Sequence, residues 1–72
     1  MMNYTVIIEE SEDGWGAYAP DLPGCMASAA SREEVVTLIR EAIKFHLEGL
    51  REQGEPIPEP HCQSEIIQVD AA

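Results

Sequence analysis

Alternation of apolar and polar residues dominates the first half of the chain. Residues 3–10 follow a two-residue period that is typical of a β-strand. Asp13-Gly14 then predicts a tight turn, because glycine accepts the positive φ that hairpin turns require. Further strands are predicted over residues 15–19 and 25–29, so the three segments together predict an antiparallel meander.

The stretch PDLPGC, residues 20–25, separates the second and third predicted strands. Pro20 fixes φ and offers no amide donor, so the second strand must stop there. Asp21 is expected to cap the turn through its own side chain. Gly24 supplies the conformational freedom to re-enter the sheet, and Cys25 is expected to begin the third strand as a core residue.

A helical period begins at Ser31. Ser31 and Glu34 have the spacing of a capping box, in which the serine oxygen accepts the Glu34 amide. Gly54 follows the last periodic residue in the usual C-terminal position. The predicted core-facing stripe consists of Val35, Ile39, Ala42, Ile43, His46 and Leu50.

Proline stands at every second position of the segment EPIPEP, residues 55–60, which predicts a stiff, extended connector. Residues 64–70 then read as a final strand, parallel to one of the first three. The predicted fold class is α+β with the order βββαβ, in which one helix covers one face of the sheet.

Charge narrows the range of partners. The chain has 14 acidic and four basic residues, a net charge of −10, and 44% of its 72 residues are hydrophobic. Phosphate backbones and anionic membrane surfaces repel such a chain, whereas a basic protein is attracted. The length predicts a single domain over residues 1–72. Without a signal pattern or an apolar run of membrane-spanning length, we expect a cytoplasmic location.

Catalysis has little support in the residues. Cys25 and His46 are the candidate thiol–base pair of a small enzyme, but His46 lies within the apolar stripe and is better explained as a histidine at the core edge. Asp21 would raise the thiol pKa of Cys25 rather than lower it. The spacing of Cys25 and Cys62 with His46 and His61 matches no zinc pattern. We therefore predict no catalytic, cofactor or metal site.

Apolar surface exceeds what one helix can cover. Depending on the strand register, Ile7 and Trp15 share one face of the sheet, and Tyr18 and Ile8 take the other. In so small a chain the uncovered residues favour association, and a homo-oligomer, either dimer or tetramer, is predicted. The candidate interface residues are Ile7, Trp15, Tyr18, Leu38 and Phe45.

The combination of motifs resembles the HicB-like antitoxins of bacterial and archaeal toxin–antitoxin systems. The resemblance is carried by YTVIIEESEDGWGAYAPDLPGC, by SREEVVTLIREAI at the helix start, by EPIPEP and by the closing segment, so it covers nearly the whole chain. It implies a truncated RNase H-like unit of order βββαβ that lacks the carboxylates of the nuclease, and hence a scaffold without catalysis.

The resemblance also implies a partner. In the family this domain binds and masks HicA, a small basic RNA-cleaving toxin, and full-length members carry a C-terminal helix-turn-helix or ribbon-helix-helix segment that binds DNA. Residues 1–72 are expected to hold the HicB-like domain without that segment. An orphan homo-oligomeric structural or regulatory module is the alternative, and a Cys/His thiol enzyme is the remote one.

Overall fold

Three antiparallel strands and one helix form the fold, which a computed structural model describes for residues 2–71. The strands are β1 (Ile7–Ser11), β2 (Gly14–Tyr18) and β3 (Met26–Ala29), and the helix is α1 (Arg32–Glu52). The sheet order is β1-β2-β3, so β1 and β3 are both edge strands. The arrangement confirms the predicted α+β class and the three-stranded meander.

The strand register decides which residues face the helix. Ile8, Ala17 and Ala27 lie side by side across the three strands. Ala17 is buried with Val35 and Ile39 of α1, so this row faces the helix. Because side chains alternate between the faces of a sheet, the next row points away from α1. We call that side the open face, and its row consists of Ile7, Tyr18 and Met26.

This register corrects the predicted distribution of residues between the two faces. Ile7 shares the open face with Tyr18 and does not share a face with Trp15. Trp15 lies on the helix side, where it packs against the core together with Val6 and Ile8. Alternation failed here because Ile7 and Ile8 are both apolar, so either one fits the buried face.

Between the sheet and α1 lies a small core. Its side chains are at most 5% exposed and comprise Ala17, Ala19, Leu22, Cys25, Val35 and Ile39. Two of these residues, Leu22 and Cys25, belong to PDLPGC, so the corner contributes core as well as reversing the chain. In so small a chain, each such side chain is a large share of the buried apolar surface.

Backbone hydrogen bonds close the corner between β2 and β3. The Leu22 amide donates to the Ala19 carbonyl at 3.0 Å, and the Cys25 amide donates to the Leu22 carbonyl at 3.0 Å. Gly24 takes a φ of +83°, a conformation that favours glycine. PDLPGC is thus the corner that the sequence predicts, although β3 begins at Met26 rather than at Cys25.

Both ends of α1 are capped as predicted. The Ser31 hydroxyl accepts a hydrogen bond from the Glu34 amide at 3.2 Å. Gly54 has a φ of +71°, its amide donates to the Arg51 carbonyl at 3.1 Å, and the next amide donates to the Leu50 carbonyl at 2.9 Å. This bond pair is the Schellman motif. Among residues 2–71, no helix combines the length and apolarity needed to cross a bilayer.

The start of β1 lies later than predicted. Alternation predicts a strand from residue 3, but β1 begins at Ile7. Its partner strand ends at Tyr18, opposite Ile7, and Pro20 then lacks the amide that a longer ladder would need. Tyr4 and Thr5 instead donate side-chain hydrogen bonds to the carbonyls of residues 58 and 62.

The predicted final strand over residues 64–70 is wrong for this structure. No strand forms within residues 53–71, and every residue from 63 to 71 is exposed. Ile66, Ile67 and Val69 are 96%, 71% and 73% exposed. A strand needs a neighbouring strand to satisfy its amides and carbonyls, and none of the three described strands pairs with this segment. We call residues 64–70 the C-terminal tail.

Candidate partner-binding surfaces

One flank of α1 combines exposed apolar side chains with acids. Leu38 and Phe45 are 45% and 78% exposed, and their spacing of seven residues puts them on the same side of the helix. Glu34, Glu41 and Glu48 repeat at the same interval beside them and are exposed. We call these five residues the acidic flank.

The opposite flank of α1 is basic. Arg40, Lys44 and Arg51 line a groove of about 720 Å³ between α1 and the beginning of the chain. They are three of only four basic residues in the protein. The groove is otherwise largely apolar, through Val6, Ile8, Val36, Ile39, Ile43 and Leu47. We call it the basic groove.

Around the edge of β3, the open face meets the acidic flank. Tyr18 and Met26 are cross-strand neighbours on the open face and are 42% and 67% exposed. Met26 and Phe45 line the same cleft, which connects the sheet to the helix flank. We call the combination of Tyr18, Met26 and the acidic flank the β3-edge surface. It is an apolar patch bordered by carboxylates, the composition of many protein-binding sites.

The five predicted interface residues do not form a single surface. Tyr18, Leu38 and Phe45 belong to the β3-edge surface. Ile7 is half-buried on the open face, where it pairs with Tyr18 across the strands. Trp15 is half-buried on the helix side, against the core. Whether these residues contact a partner stays a prediction.

Sequence reasoning missed Met26 and the acids of the flank. Met26 was not singled out because a four-residue strand shows too little alternation to reveal its exposed face. The seven-residue repeat of Glu34, Glu41 and Glu48 is visible in the sequence and could have identified the acidic flank.

Cys25 and His46, the candidate thiol–base pair, line one cleft. Cys25 is 5% exposed, and burial raises the pKa of its thiol, so the reactive thiolate is disfavoured. Among residues 2–71 no hydrogen bond joins the two side chains, and His46 is half-buried on the core side of α1. Cys25 is the small buried residue that the sequence predicts.

Asp21 anchors the segment that follows the prolines, a role that the sequence did not reveal. Its side chain is fully buried. Its Oδ2 accepts hydrogen bonds from the His61 amide at 3.1 Å and from the Cys62 amide at 3.2 Å. The prediction that Asp21 caps its own turn is wrong, because its acceptors are used by residues 40 and 41 positions later.

Two ionisable groups at this anchor are perturbed. Burial acts to raise the pKa of Asp21. This effect is outweighed by hydrogen bonds from the side chain and amide of Cys62 and from the amide of His61, and by the nearby imidazole. The pKa of Asp21 therefore lies below its ordinary value. The pKa of the Cys62 thiol is raised, first by its hydrogen bond to Asp21, then by burial and by the carboxylate charge. The anchor therefore holds an ionised Asp21 beside a protonated Cys62.

Comparison with known proteins identifies relatives of the chain. A UPF0150 protein of Thermoplasma acidophilum is 38% identical over 63 residues, which cover 86% of this chain and 91% of that protein. An uncharacterised 14.9 kDa protein of Haemophilus phage HP1 is 38% identical over 66 residues, 92% of this chain and 50% of the phage protein. Antitoxin HicB 2 of Photorhabdus laumondii is 29% identical over 72 residues, 99% of this chain and 52% of the antitoxin. The chain thus spans about half the length of the last two.

A solved structure has the same fold. The HicA3 and HicB3 toxin–antitoxin complex contains a chain that superposes with a TM-score of 0.70 at 28% sequence identity, covering 83% of this chain and 70% of that one. The family described as HicB-like antitoxin of bacterial toxin–antitoxin system matches residues 4–71. Because that match takes in all three strands, the helix and the anchor, the chain belongs to the HicB-like antitoxin family.

Proposed function

We propose that this protein binds and masks a small basic RNA-cleaving toxin and has no catalytic activity of its own. The observation that carries the proposal is the β3-edge surface, where exposed Phe45 and Met26 are bordered by the carboxylates of the acidic flank. Membership in the antitoxin family and the likeness to a chain of a toxin–antitoxin complex support a toxin as the partner.

Charge and apolarity have separate roles in this proposal. The acids of the flank and the net charge of −10 accelerate encounter with a basic protein. The exposed apolar side chains supply the desolvated centre of the interface, where aromatic residues commonly contribute most of the affinity. Phe45, at 78% exposure, is the natural anchor.

Masking follows from the chemistry of the partner. An enzyme that cleaves RNA must present cations to the phosphate backbone. A partner surface of carboxylates competes for those cations and thereby excludes RNA. The complex would form in the cytoplasm, where the RNA is.

Co-expression with the products of the flanking genes tests the proposal. We expect a small basic protein encoded by a flanking gene to co-purify with this protein. Co-expression should also relieve the growth inhibition that the basic protein causes. Phe45→Asp should weaken this binding at least about tenfold, as loss of an interface anchor does. The double change Glu41→Lys and Glu48→Lys should mainly slow association, whereas Glu12→Lys with Glu59→Lys makes the same change in net charge elsewhere and serves as the control.

Three results would contradict the proposal. They are failure of every flanking gene product to bind, binding that Phe45→Asp leaves unchanged, and equal slowing by the control charge reversals. The first of these would favour the orphan module instead. The enzyme alternative gains no support, because the Cys25 thiol is buried and its pKa is raised.

We also propose that the protein is a homo-oligomer in which the C-terminal tail of one copy pairs with another. The radius of gyration is 14.2 Å, compared with about 11 Å for a compact chain of this length. The tail exposes Ile66, Ile67 and Val69, each by 71% or more. Three β-forming apolar residues in an exposed segment have the composition of a strand and are suited to pair with the edge strand of another chain.

A second copy offers a matching place beside β1. This edge strand adjoins the basic groove. Glu65, Ile67 and Val69 fall on one side of a strand, so the apolar floor of the groove fits Ile67 and Val69, and its basic side chains fit the carboxylate of Glu65. Strand addition to an exposed edge supplies main-chain hydrogen bonds, and the groove supplies side-chain pockets. The toxin and the second copy would therefore occupy opposite edges of the sheet.

Light scattering coupled to size exclusion tests the assembly. The double variant Ile67→Asp and Val69→Asp is expected to be monomeric, whereas the wild type is a dimer or a tetramer. Phe45→Asp, on the opposite edge, should leave the assembly intact. This part of the proposal would be overturned if the wild type is a monomer in solution, or if the tail variant forms an assembly of the same mass as the wild type. Neither result would bear on toxin binding.

A further inference from the structure

Three side chains of metal-ligating type meet at the anchor: Asp21, His61 and Cys62. Their ligand atoms all lie within 4.8 Å of one another. Asp21 comes from the corner between β2 and β3, whereas His61 and Cys62 follow the proline segment. Spacing rules for zinc motifs miss such a cluster, because two of its members are adjacent and the third lies 40 residues earlier.

The two oxygens of Asp21 have different surroundings. Oδ2 accepts the amides of His61 and Cys62. Oδ1 is buried, accepts no hydrogen bond within the described residues, and faces Nδ1 of His61 at 2.8 Å. A buried carboxylate oxygen is costly unless a positive charge or a donor offsets it. A proton on His61 Nδ1 or the Cys62 thiol is one way to satisfy Oδ1, and a bound cation is another.

The donor set selects the cation. Thiolate, imidazole and carboxylate are the ligands that Zn²⁺ takes in proteins. Thiolate and imidazole together exclude the hard cations Mg²⁺ and Ca²⁺, which prefer oxygen. Three protein ligands leave one coordination position for water or another donor.

The surroundings meet two further requirements of a metal site. The hydrogen bonds that the His61 and Cys62 amides donate to Asp21 Oδ2 hold all three residues in place, as supporting contacts do in known metal sites. A surface cleft lined by Glu59, His61 and Cys62 gives access from solvent, and the His61 side chain is 79% exposed.

We propose that Asp21, His61 and Cys62 form a zinc-binding site that fastens the segment after the prolines to the β2–β3 corner. Zn²⁺ binding would release the Cys62 thiol proton to solvent, because the thiolate is the ligand. Zinc affinity should therefore fall as the pH is lowered. The inference is independent of toxin binding, and neither proposal fails with the other.

Metal titration of the protein tests the site. After treatment with a chelator, the protein is titrated with Zn²⁺ in competition with a chromogenic chelator, and with Co²⁺ as a spectroscopic probe. We expect one equivalent to bind and the Co²⁺ form to show a thiolate-to-metal charge-transfer band. Zn²⁺ should also raise the melting temperature, because it binds the folded state.

The chain provides matched controls, since it has exactly one other cysteine and one other histidine. Cys62→Ser and His61→Gln should each weaken Zn²⁺ binding at least about tenfold. Cys25→Ala and His46→Gln should leave it unchanged. Cys62 and His61 lie outside the core, and circular dichroism would verify that these variants fold.

Several results would overturn the proposal. They are the absence of stoichiometric Zn²⁺ binding by the wild type, a Co²⁺ complex without the charge-transfer band, and equal affinity in Cys62→Ser and the wild type. Binding that is lost in Cys25→Ala instead would place the metal elsewhere and would equally refute this site.

Discussion

Alanine at two glycine positions is expected to change the stability of the fold in opposite directions. Gly14→Ala should destabilise the protein, because Gly14 has a φ of +144°, where an L-residue is strained. Gly49→Ala should stabilise it, because Gly49 lies inside α1 and alanine is the better helix former.

The structure fixes the size of the difference. A Cβ at position 14 would lie 2.5 Å from the backbone carbonyl oxygen of Ala29, whereas a Cβ at position 49 meets nothing within 4 Å. Backbone strain at Gly14 costs about 1–3 kcal/mol, before any displacement of β3 is added. Alanine at position 49 contributes about 0.8–1.0 kcal/mol. The two variants should thus differ by about 2–4 kcal/mol in the free energy of unfolding.

Urea denaturation at a fixed protomer concentration measures this difference, with Trp15 fluorescence and far-ultraviolet circular dichroism as two probes. In thermal unfolding, Gly49→Ala should raise the melting temperature by about 4–8 °C.

Equal stability of Gly14→Ala and the wild type would refute the reasoning about the hairpin, since it would mean that β3 does not approach Gly14 as closely as described. A loss of stability in Gly49→Ala would show that the helix at position 49 is covered, and a partner chain would be the cause.

Three further predictions follow from the contacts of single side chains. The pKa of Asp21 lies below its ordinary value of 3.8, so its ionised form stabilises the protein above pH 3.8, and this contribution is lost as the pH falls through the lowered pKa. In a plot of unfolding free energy against pH, Asp21→Asn should therefore reduce the loss of stability at acid pH. An unchanged loss of stability in this variant would contradict the prediction. Alkylation followed by mass spectrometry should modify the half-buried Cys62 before Cys25, because the pKa of both thiols is raised and Cys25 is only 5% exposed. Rapid modification of Cys25 in the folded state would revive the enzyme alternative. Ser31→Ala should lower the free energy of unfolding by about 1 kcal/mol through loss of the helix cap, as measured by urea denaturation. Ser28→Ala, at an exposed strand position, is the control, and equal effects of the two variants would argue against the cap.

Local chemistry made most of the fold predictable. The cap at Ser31, the Schellman glycine at Gly54 and the positive φ of Gly14 each depend on residues within a few positions, so short motifs suffice. The corner at PDLPGC is of the same kind. The RNase H-like likeness of the whole fold stays a prediction.

Long-range contacts were not predictable in the same way. The role of Asp21 depends on amides 40 and 41 residues away, and no local pattern reveals that pairing. The tail residues Ile66, Ile67 and Val69 have strand composition, but a strand also requires a neighbour that the sequence does not specify.

The β3-edge surface was predictable only in part, because its helix residues follow from a local pattern and its contact with the sheet does not. Leu38 and Phe45 follow from the helical period, because they fall outside the core stripe. Their meeting with Met26 depends on how the helix lies over the sheet, which only the packed structure gives.

The long separation of the anchor contacts has a consequence for the order of folding. The hairpin and the helix form by closing loops of a few residues, whereas the contacts between Asp21 and the amides of His61 and Cys62 close a loop of about 40 residues. Closing a loop of 40 residues costs about 2 kcal/mol more in chain entropy than closing a loop of four residues. The anchor should therefore form after the folding transition state, so Asp21→Asn should speed unfolding and leave the folding rate nearly unchanged. During synthesis the strands and the helix emerge first, and the Asp21 carboxylate remains hydrated until His61 and Cys62 leave the ribosome.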